Sequence, residues 1–314
     1  MRAVTFSRFG GPEVLQVKDL PEREPGEGQV RIRVRAATVN PTDLGFRSGR
    51  QSAQLSGVEP PYIPGMELAG VVDAAGPGSD WRPGDRVMAI VIPRRPEGGA
   101  MAEAVVVPAA SVARVPEGAS LEQAATLPMN GLTVRLALDL LGLKPGDALA
   151  VTGAAGAVGG YAVELGVADG LRVIAVASLS DEPLLKKLGA EAFVPRGDDA
   201  AQRIRQIVPG GVDGLVDAAV IGAPILAAIR DGGGLAAVRG FEGESERGIK
   251  VHVVRVTEYA QNQAALDRLG RMVAQGKLTL RVAETFPPER AAEAHKRLEA
   301  GGVRGRLVIV FPSR

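Results

Sequence analysis

From residue 148 onward, short apolar runs alternate with segments of helical periodicity, and this alternation constrains the fold more than any other feature of the sequence. The apolar runs are nearly free of polar residues, which is typical of strands buried on both faces. They span 148–152, 172–177, 192–194, 214–218 and 234–238. The helical segments between them span 157–168, 182–188, 200–207 and 223–229. Strands and helices that alternate in this order predict an α/β domain with a doubly wound parallel sheet.

The first 120 residues show a different pattern, in which short β-like runs are separated by turns rich in glycine and proline. The runs span 3–6, 30–37, 69–75, 86–91 and 104–108. Turn sequences such as Gly76-Pro77-Gly78 between them predict an irregular β-barrel or β-sandwich. From residue 258 the chain predicts a helix, a strand at 280–283, a helix at 288–300 and a strand at 306–311. The pattern alone assigns this last strand to neither domain.

Composition excludes several classes of function. A chain of 314 residues with 46% hydrophobic and 23% charged residues suits two globular domains and excludes disordered or fibrous proteins. The net charge is +1 without a basic tract, which argues against nucleic-acid or membrane-surface partners. No apolar stretch reaches the roughly 20 residues that cross a bilayer, so the expected location is the cytoplasm.

Few residues here are suited to bind a transition metal. The chain has no cysteine and only two histidines, so thiolate metal sites and disulfides are excluded. His252 lies in an alternating strand over 250–254 and is expected to be a sheet or interface residue. His295 lies among charged residues of the helix at 288–300 and is expected to be solvated. A metal-free mechanism is therefore favoured.

The loop after the predicted strand at 148–152 has the small residues of a phosphate-binding turn. Its sequence is Gly153-Ala154-Ala155-Gly156-Ala157-Val158-Gly159, and a predicted helix follows. Gly156 would let the backbone approach a pyrophosphate, Gly159 would allow close helix packing, and the helix N-terminus would supply free N–H groups. Ala154 stands where a strict G-x-G-x-x-G motif has glycine, so a small-residue packing turn is the alternative. The order strand, loop, helix, strand favours dinucleotide binding.

The end of the second strand bears on the choice of cofactor. An acidic residue there would accept a hydrogen bond from the ribose 2′-OH of NAD, whereas this chain has Ala177-Ser178. Asp181 lies further on and is expected to cap the following helix. Arg196, just after the third strand, could reach a 2′-phosphate, although a solvated surface arginine is the alternative. These residues favour NADP(H) over NAD(H).

Motifs spread over essentially the whole chain resemble those of a known family. They are Phe9-Gly10-Gly11-Pro12-Glu13-Val14-Leu15, Asn40-Pro41-Thr42-Asp43, Pro64-Gly65-Met66-Glu67-Leu68-Ala69-Gly70, Gly84-Asp85-Arg86-Val87, Gly131-Leu132-Thr133, the loop at 153–159, and Gly301-Gly302-Val303-Arg304-Gly305-Arg306. In this order and spacing they resemble the medium-chain dehydrogenase/reductases, specifically the zinc-lacking quinone oxidoreductase branch related to zeta-crystallin.

The resemblance implies two domains. A β-rich GroES-like catalytic domain would comprise 1–121 and be completed by 265–314, and a Rossmann NADP-binding domain would comprise 122–264, with the active site in the cleft. The zinc ligands of metal-dependent relatives match Asn40 and Met66 here, and neither can serve. The resemblance also implies a homodimer that pairs along the strand at 250–254, which would cover an exposed sheet edge.

The resemblance further implies the site residues. Asn40, Thr133 and Asp43 are the candidate catalytic residues, with helix capping by Asn40 and Asp43 as the alternative. Many members of the branch have Tyr or Lys where this chain has Gly45, so the general acid stays unassigned. Tyr62 and Tyr161 could compensate, with packing of its helix on the sheet as the alternative for Tyr161. The expected cofactor contacts are Gly153, Ala155, Gly156, Ala157, Val158, Gly159, Ala177, Ser178, Arg196, Val220, Val238, Arg239, Gly240 and Phe241.

Together these features predict an oxidoreductase that transfers hydride from NADPH to a small quinone or α,β-unsaturated carbonyl compound. Such acceptors spread the developing negative charge onto an oxygen, so they need a Lewis acid less than an unactivated ketone does. Two alternatives stay open. One is an enoyl-thioester reductase, and the other is a protein that binds NADPH with little turnover and serves as a sensor or structural protein.

Overall fold

A computed structural model describes residues 1–55 and 57–312 of the chain. The chain divides into two compact units, each formed by more than one segment of sequence. The first unit comprises Met1–Met129, Ala260–Ala274 and Leu280–Arg314. The second comprises Asn130–Tyr259 and Gln275–Thr279.

The first unit is built on a seven-stranded sheet. The nine strands of this unit among the described residues are β1 (Arg2–Thr5), β2 (Gln16–Asp19), β3 (Gln29–Thr38), β4 (Glu67–Ala75), β5 (Arg86–Ile90), β6 (Ala104–Pro108) and β7 (Val112–Arg114), together with β14 (Val282–Phe286) and β15 (Arg306–Val310) near the C-terminus. The order is β14-β15-β3-β4-β5-β7, with β6 also paired to β3, while β1 and β2 form a separate ribbon. The last strand, which the sequence pattern left unassigned, therefore joins this sheet beside β3.

Alternation of side chains explains why β3 is the central strand. Val30, Ile32 and Val34 point into the core and are buried, while Arg31 and Arg33 lie on the other face. Both arginines donate to the carboxylate of Asp73 on β4, at 2.9 and 2.6 Å from Nε. The helices of this unit are α1 (Pro41–Arg47), α2 (Leu121–Ala124), α7 (Gln263–Ala274) and α8 (Ala291–Glu299).

The second unit is a parallel sheet flanked by helices, which confirms the predicted fold class. Its strands are β8 (Ala148–Thr152), β9 (Arg172–Ala177), β10 (Ala192–Pro195), β11 (Val212–Asp217), β12 (Ile229–Ala237) and β13 (Lys250–Val253), in the order β10-β9-β8-β11-β12-β13. The helices are α3 (Pro128–Leu141), α4 (Ala157–Ala168), α5 (Glu182–Lys187) and α6 (Ala200–Ile207). The strand order reverses between β8 and β11, which is the switch point of a doubly wound sheet.

Two segments differ from the sequence-based expectation. The helix predicted at 223–229 is a short 3-10 helix, Ala223–Ala228, because Pro224 lacks an N–H and six residues suffice to bury Ile225 and Leu226 before β12 starts. The strand predicted at 280–283 lies instead at Val282–Phe286. No helix within the described part of the chain is long and apolar enough to cross a bilayer.

Candidate functional site

A buried polar cluster surrounds Glu67 at the start of β4 in the first unit. The Glu67 side chain is fully buried. Its Oε1 accepts a hydrogen bond from Thr38 Oγ1 at 2.6 Å and lies 2.6 Å from Nη2 of Arg306. Its Oε2 accepts from the backbone N–H of Met129 at 2.8 Å. Both carboxylate oxygens are therefore satisfied, as a charge in the interior requires.

Asn40, the first candidate catalytic residue, joins this cluster through its amide. Arg306 Nη2 donates to Asn40 Oδ1 at 2.6 Å, and Asn40 Nδ2 lies 3.3 Å from Thr38 Oγ1. The guanidinium of Arg306 thus binds both Glu67 and Asn40. The orientation of the Asn40 amide is set by residues on β3 and β15 before any ligand arrives.

Asp43, the second candidate, caps the start of α1. Its Oδ2 accepts from the backbone N–H of Asn40 at 2.8 Å, and Pro41 occupies the first helical position, so the capping interpretation is confirmed. Its Oδ1 accepts from the N–H of Gly65 at 2.8 Å. Complete burial raises the pKa of Asp43 to about 6, against these two N–H donors, which lower it. The carboxylate is ionised at neutral pH and joins α1 to the segment before β4.

The two positions that match zinc ligands in relatives contain donors unsuited to zinc. The amide of Asn40 is held by Arg306, and the thioether of buried Met66 accepts from Thr42 Oγ1 at 3.1 Å. Zinc sites in proteins use thiolate, imidazole and carboxylate ligands. Among the described residues, no group of three or more His, Cys, Asp or Glu is arranged to hold a metal ion. The residues present do not fit a catalytic zinc.

Tyr62 and Tyr161, the two tyrosines considered as proton donors, both pack inside the structure. Tyr62 packs against three phenylalanine rings, and its ring is nearly parallel to that of Phe9 at 6.0 Å between centroids. Tyr161 is buried on α4, as packing of that helix on the sheet requires. The absence of a side chain at Gly45 is instead compensated by Gln51, whose Nε2 lies 3.3 Å from where a Cβ of residue 45 would be.

In the second unit, the loop after β8 has the geometry of an anion-binding turn. Gly153 has φ of +60°, a conformation that favours glycine. A Cβ at Gly159 would lie 2.2 Å from the carbonyl oxygen of Gly153, so this glycine allows α4 to close on the loop itself. Gly156 stands at the N-cap of α4, with extended backbone. The first N–H groups of α4 therefore suit a pyrophosphate, and the loop fits the dinucleotide that the sequence predicts.

Two buried polar residues at the switch point link this loop to the segment after β11, and sequence reasoning missed both. Thr152 Oγ1 donates to Asp217 Oδ1 at 2.5 Å and accepts from the N–H of Ala219 at 3.0 Å. Asp217 Oδ2 accepts from the N–H of Gly222 at 2.9 Å. The available signal was a polar residue closing each of two otherwise apolar strands. The pair brings Val220, a predicted cofactor contact, to the edge where Gly153 lies.

The other predicted cofactor residues follow neighbouring strands at the same edge of the sheet. Ser178 follows β9, and Arg196 follows β10, with its N–H donating to the carbonyl of Ala177 at 2.7 Å. The segment 238–241 follows β12, where Phe241 packs on the core and Arg239 is exposed. Asp181 accepts from the N–H of Ser178 at 3.2 Å, which confirms its capping role. Thr133 lies buried on α3.

Comparisons with known proteins match two parts of the chain to dehydrogenase domains. Residues 26–117 match the alcohol dehydrogenase GroES-like domain, and residues 188–309 match the zinc-binding dehydrogenase domain. The quinone oxidoreductase of Sus scrofa is 30% identical over 99% of this chain and 98% of its own length. The synaptic vesicle membrane protein VAT-1 homolog of Rattus norvegicus is 36% identical over 69% of this chain. That match spans about half, 53%, of the rat protein.

Solved structures similar to this one include proteins of both cofactor types. An NAD-dependent alcohol dehydrogenase superposes with a TM-score of 0.88 and 32% identity, covering 99% of this chain and 100% of the other. The mycobacterial protein Rv1454c, complexed with NADPH, superposes with a TM-score of 0.86 and 28% identity, covering 99% and 100%.

Proposed function

The chain belongs to the medium-chain dehydrogenase/reductase superfamily, in its quinone oxidoreductase branch, and from this premise we propose that it reduces quinones or α,β-unsaturated carbonyl compounds with NADPH and without a metal ion. The observation that carries the proposal is the donor set at positions 40 and 66, an amide and a thioether that are already bound by Arg306 and Thr42. A zinc-dependent alcohol dehydrogenase would need ligands that these positions do not supply.

The second unit would bind the cofactor. Bound NADPH supplies a hydride from C4 of its nicotinamide. The loop at 153–159 and the N-terminus of α4 would bind the pyrophosphate through backbone N–H groups. Ser178 and Arg196, at the ends of paired strands, would hold the 2′-phosphate. Val220 and the segment 238–241 would contact the nicotinamide end of the cofactor. They follow β11 and β12, at the edge of the sheet where the loop at 153–159 lies.

The first unit would act on the acceptor. Without a Lewis acid, negative charge that develops on the acceptor oxygen must be stabilised by preorganised hydrogen-bond donors. Asn40 is such a donor, since Arg306 and Thr38 fix its amide. The role of Thr133 on α3 stays a prediction from the resemblance. Both oxygens of Asp43 accept from backbone N–H groups, so we assign Asp43 a positioning role for Asn40. Solvent can supply the proton, because a quinone or enone places the charge on oxygen.

Steady-state oxidation of NADPH and NADH tests this function. The acceptors are 1,4-benzoquinone, 9,10-phenanthrenequinone and a set of 2-alkenals, each with and without EDTA. We expect turnover that prefers NADPH and survives chelation. Activity that EDTA abolishes and zinc restores would contradict the metal-free mechanism. Tight NADPH binding with no turnover on any acceptor would favour the sensor alternative, and oxidation of simple alcohols with NAD would favour a dehydrogenase like the structural relative.

Removal of the Arg196 guanidinium tests the cofactor preference directly. We expect R196A to raise the KM for NADPH by about tenfold, or about 1.4 kcal/mol, and to leave the KM for NADH unchanged, because only NADPH has the 2′-phosphate. The matched control is R203A. It removes an arginine on α6 that is paired with Asp199. If R196A raised the KM for NADPH and for NADH equally, Arg196 would not be the residue that binds the 2′-phosphate.

A further inference from the structure

Gly45 on α1 is covered by polar side chains that come from outside the helix. A Cβ at residue 45 would meet Gln51 Nε2 at 3.3 Å and Arg50 Nε at 3.9 Å. Gly45 follows Asn40 by five residues, or about 7.5 Å along the axis of α1. The groups above Gly45 therefore lie within the length of a small acceptor from the amide assigned to catalysis.

Arg94, from the loop after β5, joins this group through one edge of its guanidinium. Its Nη1 donates to Gln51 Oε1 at 2.7 Å. Its Nε and Nη2 form no hydrogen bond or ion pair with the described residues. These two N–H groups are the parallel pair that binds a carboxylate side-on, with two hydrogen bonds. Gln51 thus occupies one side of the guanidinium and leaves the bidentate side open.

Arg94 differs from several other shielded arginines in having no carboxylate partner among the described residues. Arg31, Arg33 and Arg135 are comparably shielded from solvent, and each lies 2.9 Å or less from a carboxylate oxygen. Partial burial lowers the pKa of Arg94, while the charge of Asp43 raises it. Asp43 itself is engaged by two backbone N–H groups. A half-buried guanidinium with no ion pair points to an anionic ligand that is not part of the chain.

We propose that Arg94, oriented by Gln51, binds a carboxylate of the acceptor, and that the substrates of this protein are α,β-unsaturated or quinoid carbonyl compounds that carry such a group. The inference rests on the proposed function, which supplies the carbonyl acceptor. The inference adds to that function a residue that determines specificity, Arg94, and a negative charge on the substrate.

The test compares two acceptors that share the same enone, 4-oxo-2-pentenoate, which has a carboxylate, and its methyl ester, which has no charge. We expect the wild-type enzyme with NADPH to reduce the acid with a kcat/KM at least about tenfold above that of the ester, as a charge-assisted bidentate contact allows. R94Q should abolish this preference, while R94K should keep part of it. The matched control is R95Q, since Arg95 is paired with Glu97 and should not affect either acceptor.

Each result separates this inference from the proposed function. Reduction of the ester without preference for the acid would overturn only the role of Arg94. Equal losses in R94Q on both acceptors, or a raised KM for NADPH, would also overturn it, because Arg94 would then act on the cofactor or the fold. If neither these acceptors nor the quinones and 2-alkenals named above are reduced, the proposed function fails, and Arg94 is tested by binding. The NADPH complex should then bind 4-oxopentanoate more tightly than its methyl ester, and R94Q should lose the difference.

Discussion

At the scale of single residues, His295 departs furthest from expectation. The sequence places it among charged residues and predicts a solvated side chain, but the imidazole is fully buried on α8. Neither of its nitrogens has a hydrogen-bond partner among the residues that the structure describes. The expectation was wrong because the charged neighbours lie on the other face of the helix. Ala291, Ala294, His295 and Leu298 follow the spacing of a helix face that packs on the core.

Burial of His295 predicts an acid-sensitive fold. Desolvation, with a smaller effect from the Arg47 charge, lowers the pKa of His295 from 6.5 to about 3. The unfolded chain therefore binds a proton that the folded chain does not between these values. The contribution of His295 to the free energy of unfolding is therefore fully present above about pH 6.5. It falls as pH decreases toward 3, by at most about 1.4 kcal/mol per pH unit.

Urea unfolding of the wild type and H295Q between pH 7 and pH 4 measures this effect. We expect H295Q to lose stability less steeply on acidification than the wild type. The raised pKa of Asp43 acts in the opposite sense, because its stabilisation is lost as pH rises toward 6, but it is common to both proteins. H252Q is the matched control, as His252 is only partly buried on β13. Parallel pH profiles of H295Q and the wild type would contradict the prediction.

Val220 is a second residue whose conformation only the structure reveals. It has φ of +58° and is 44% exposed, so a β-branched side chain is held in a left-handed backbone conformation without compensating burial. We expect V220G to raise the Tm by about 2 °C, since relief of this strain exceeds the entropy that glycine adds to the unfolded chain. The control is I221G, next to it and similarly exposed, which should bring no gain. A lower Tm for both variants would show that Val220 is not strained.

At the scale of elements, the turn between β8 and α4 depends on close backbone approach. A Cβ at Gly159 would lie 2.7 Å from Ala154 Cα as well as 2.2 Å from the oxygen of Gly153, and neither backbone atom can rotate away. Gly156 is less crowded, with a Cβ position 3.2 Å from the same oxygen. The turn must therefore shift more in a variant at Gly159 than in one at Gly156.

This difference predicts a graded loss of cofactor binding. We expect G159A to weaken NADPH binding by at least about tenfold and G156A to weaken it less, because the shifted N–H groups no longer converge on the pyrophosphate. Fluorescence titration of NADPH measures both, with the Tm as a check on folding. G210A is the control, since a Cβ there would meet nothing within 4 Å. Unchanged affinity in a folded G159A would mean that the turn does not hold the cofactor.

At the scale of the whole molecule, the outer edge of β13 is one of the two edges of the parallel sheet. This strand ends the order of the sheet, and Val253 on it is 40% exposed. An unpaired strand edge is a template for pairing with another chain. The homodimer that the sequence resemblance implies stays a prediction, and this edge is its proposed interface.

Light scattering after size exclusion measures the predicted assembly. We expect a mass of twice the 32.5 kDa of one chain, and we expect V253K to shift the protein toward the monomer because it places a charge on the interface. V167K is the matched control, as Val167 is 39% exposed on α4 of the same unit. A dimer that V253K leaves intact would move the interface elsewhere, and a monomeric wild type would exclude it.

The sequence by itself determined the parallel sheet, most of its element boundaries and the turn between β8 and α4. The predicted bounds of β8, α4 and β9 agree with the structure, because a buried strand and an amphipathic or apolar helix depend on the spacing of nearby side chains. The capping roles of Asp43 and Asp181 were predictable for the same reason. They act on backbone groups only three residues away.

Only the tertiary structure decided how the polar groups are paired. Thr38 and Arg306 are 268 positions apart, and Thr152 and Asp217 are 65 positions apart, so no local pattern links them. The pairing of Gln51 with Arg94 and the burial of His295 likewise depend on which surfaces face each other in the folded chain. Local spacing sets secondary structure, whereas the satisfaction of buried charge is a property of contacts between distant segments, and these contacts form the candidate site.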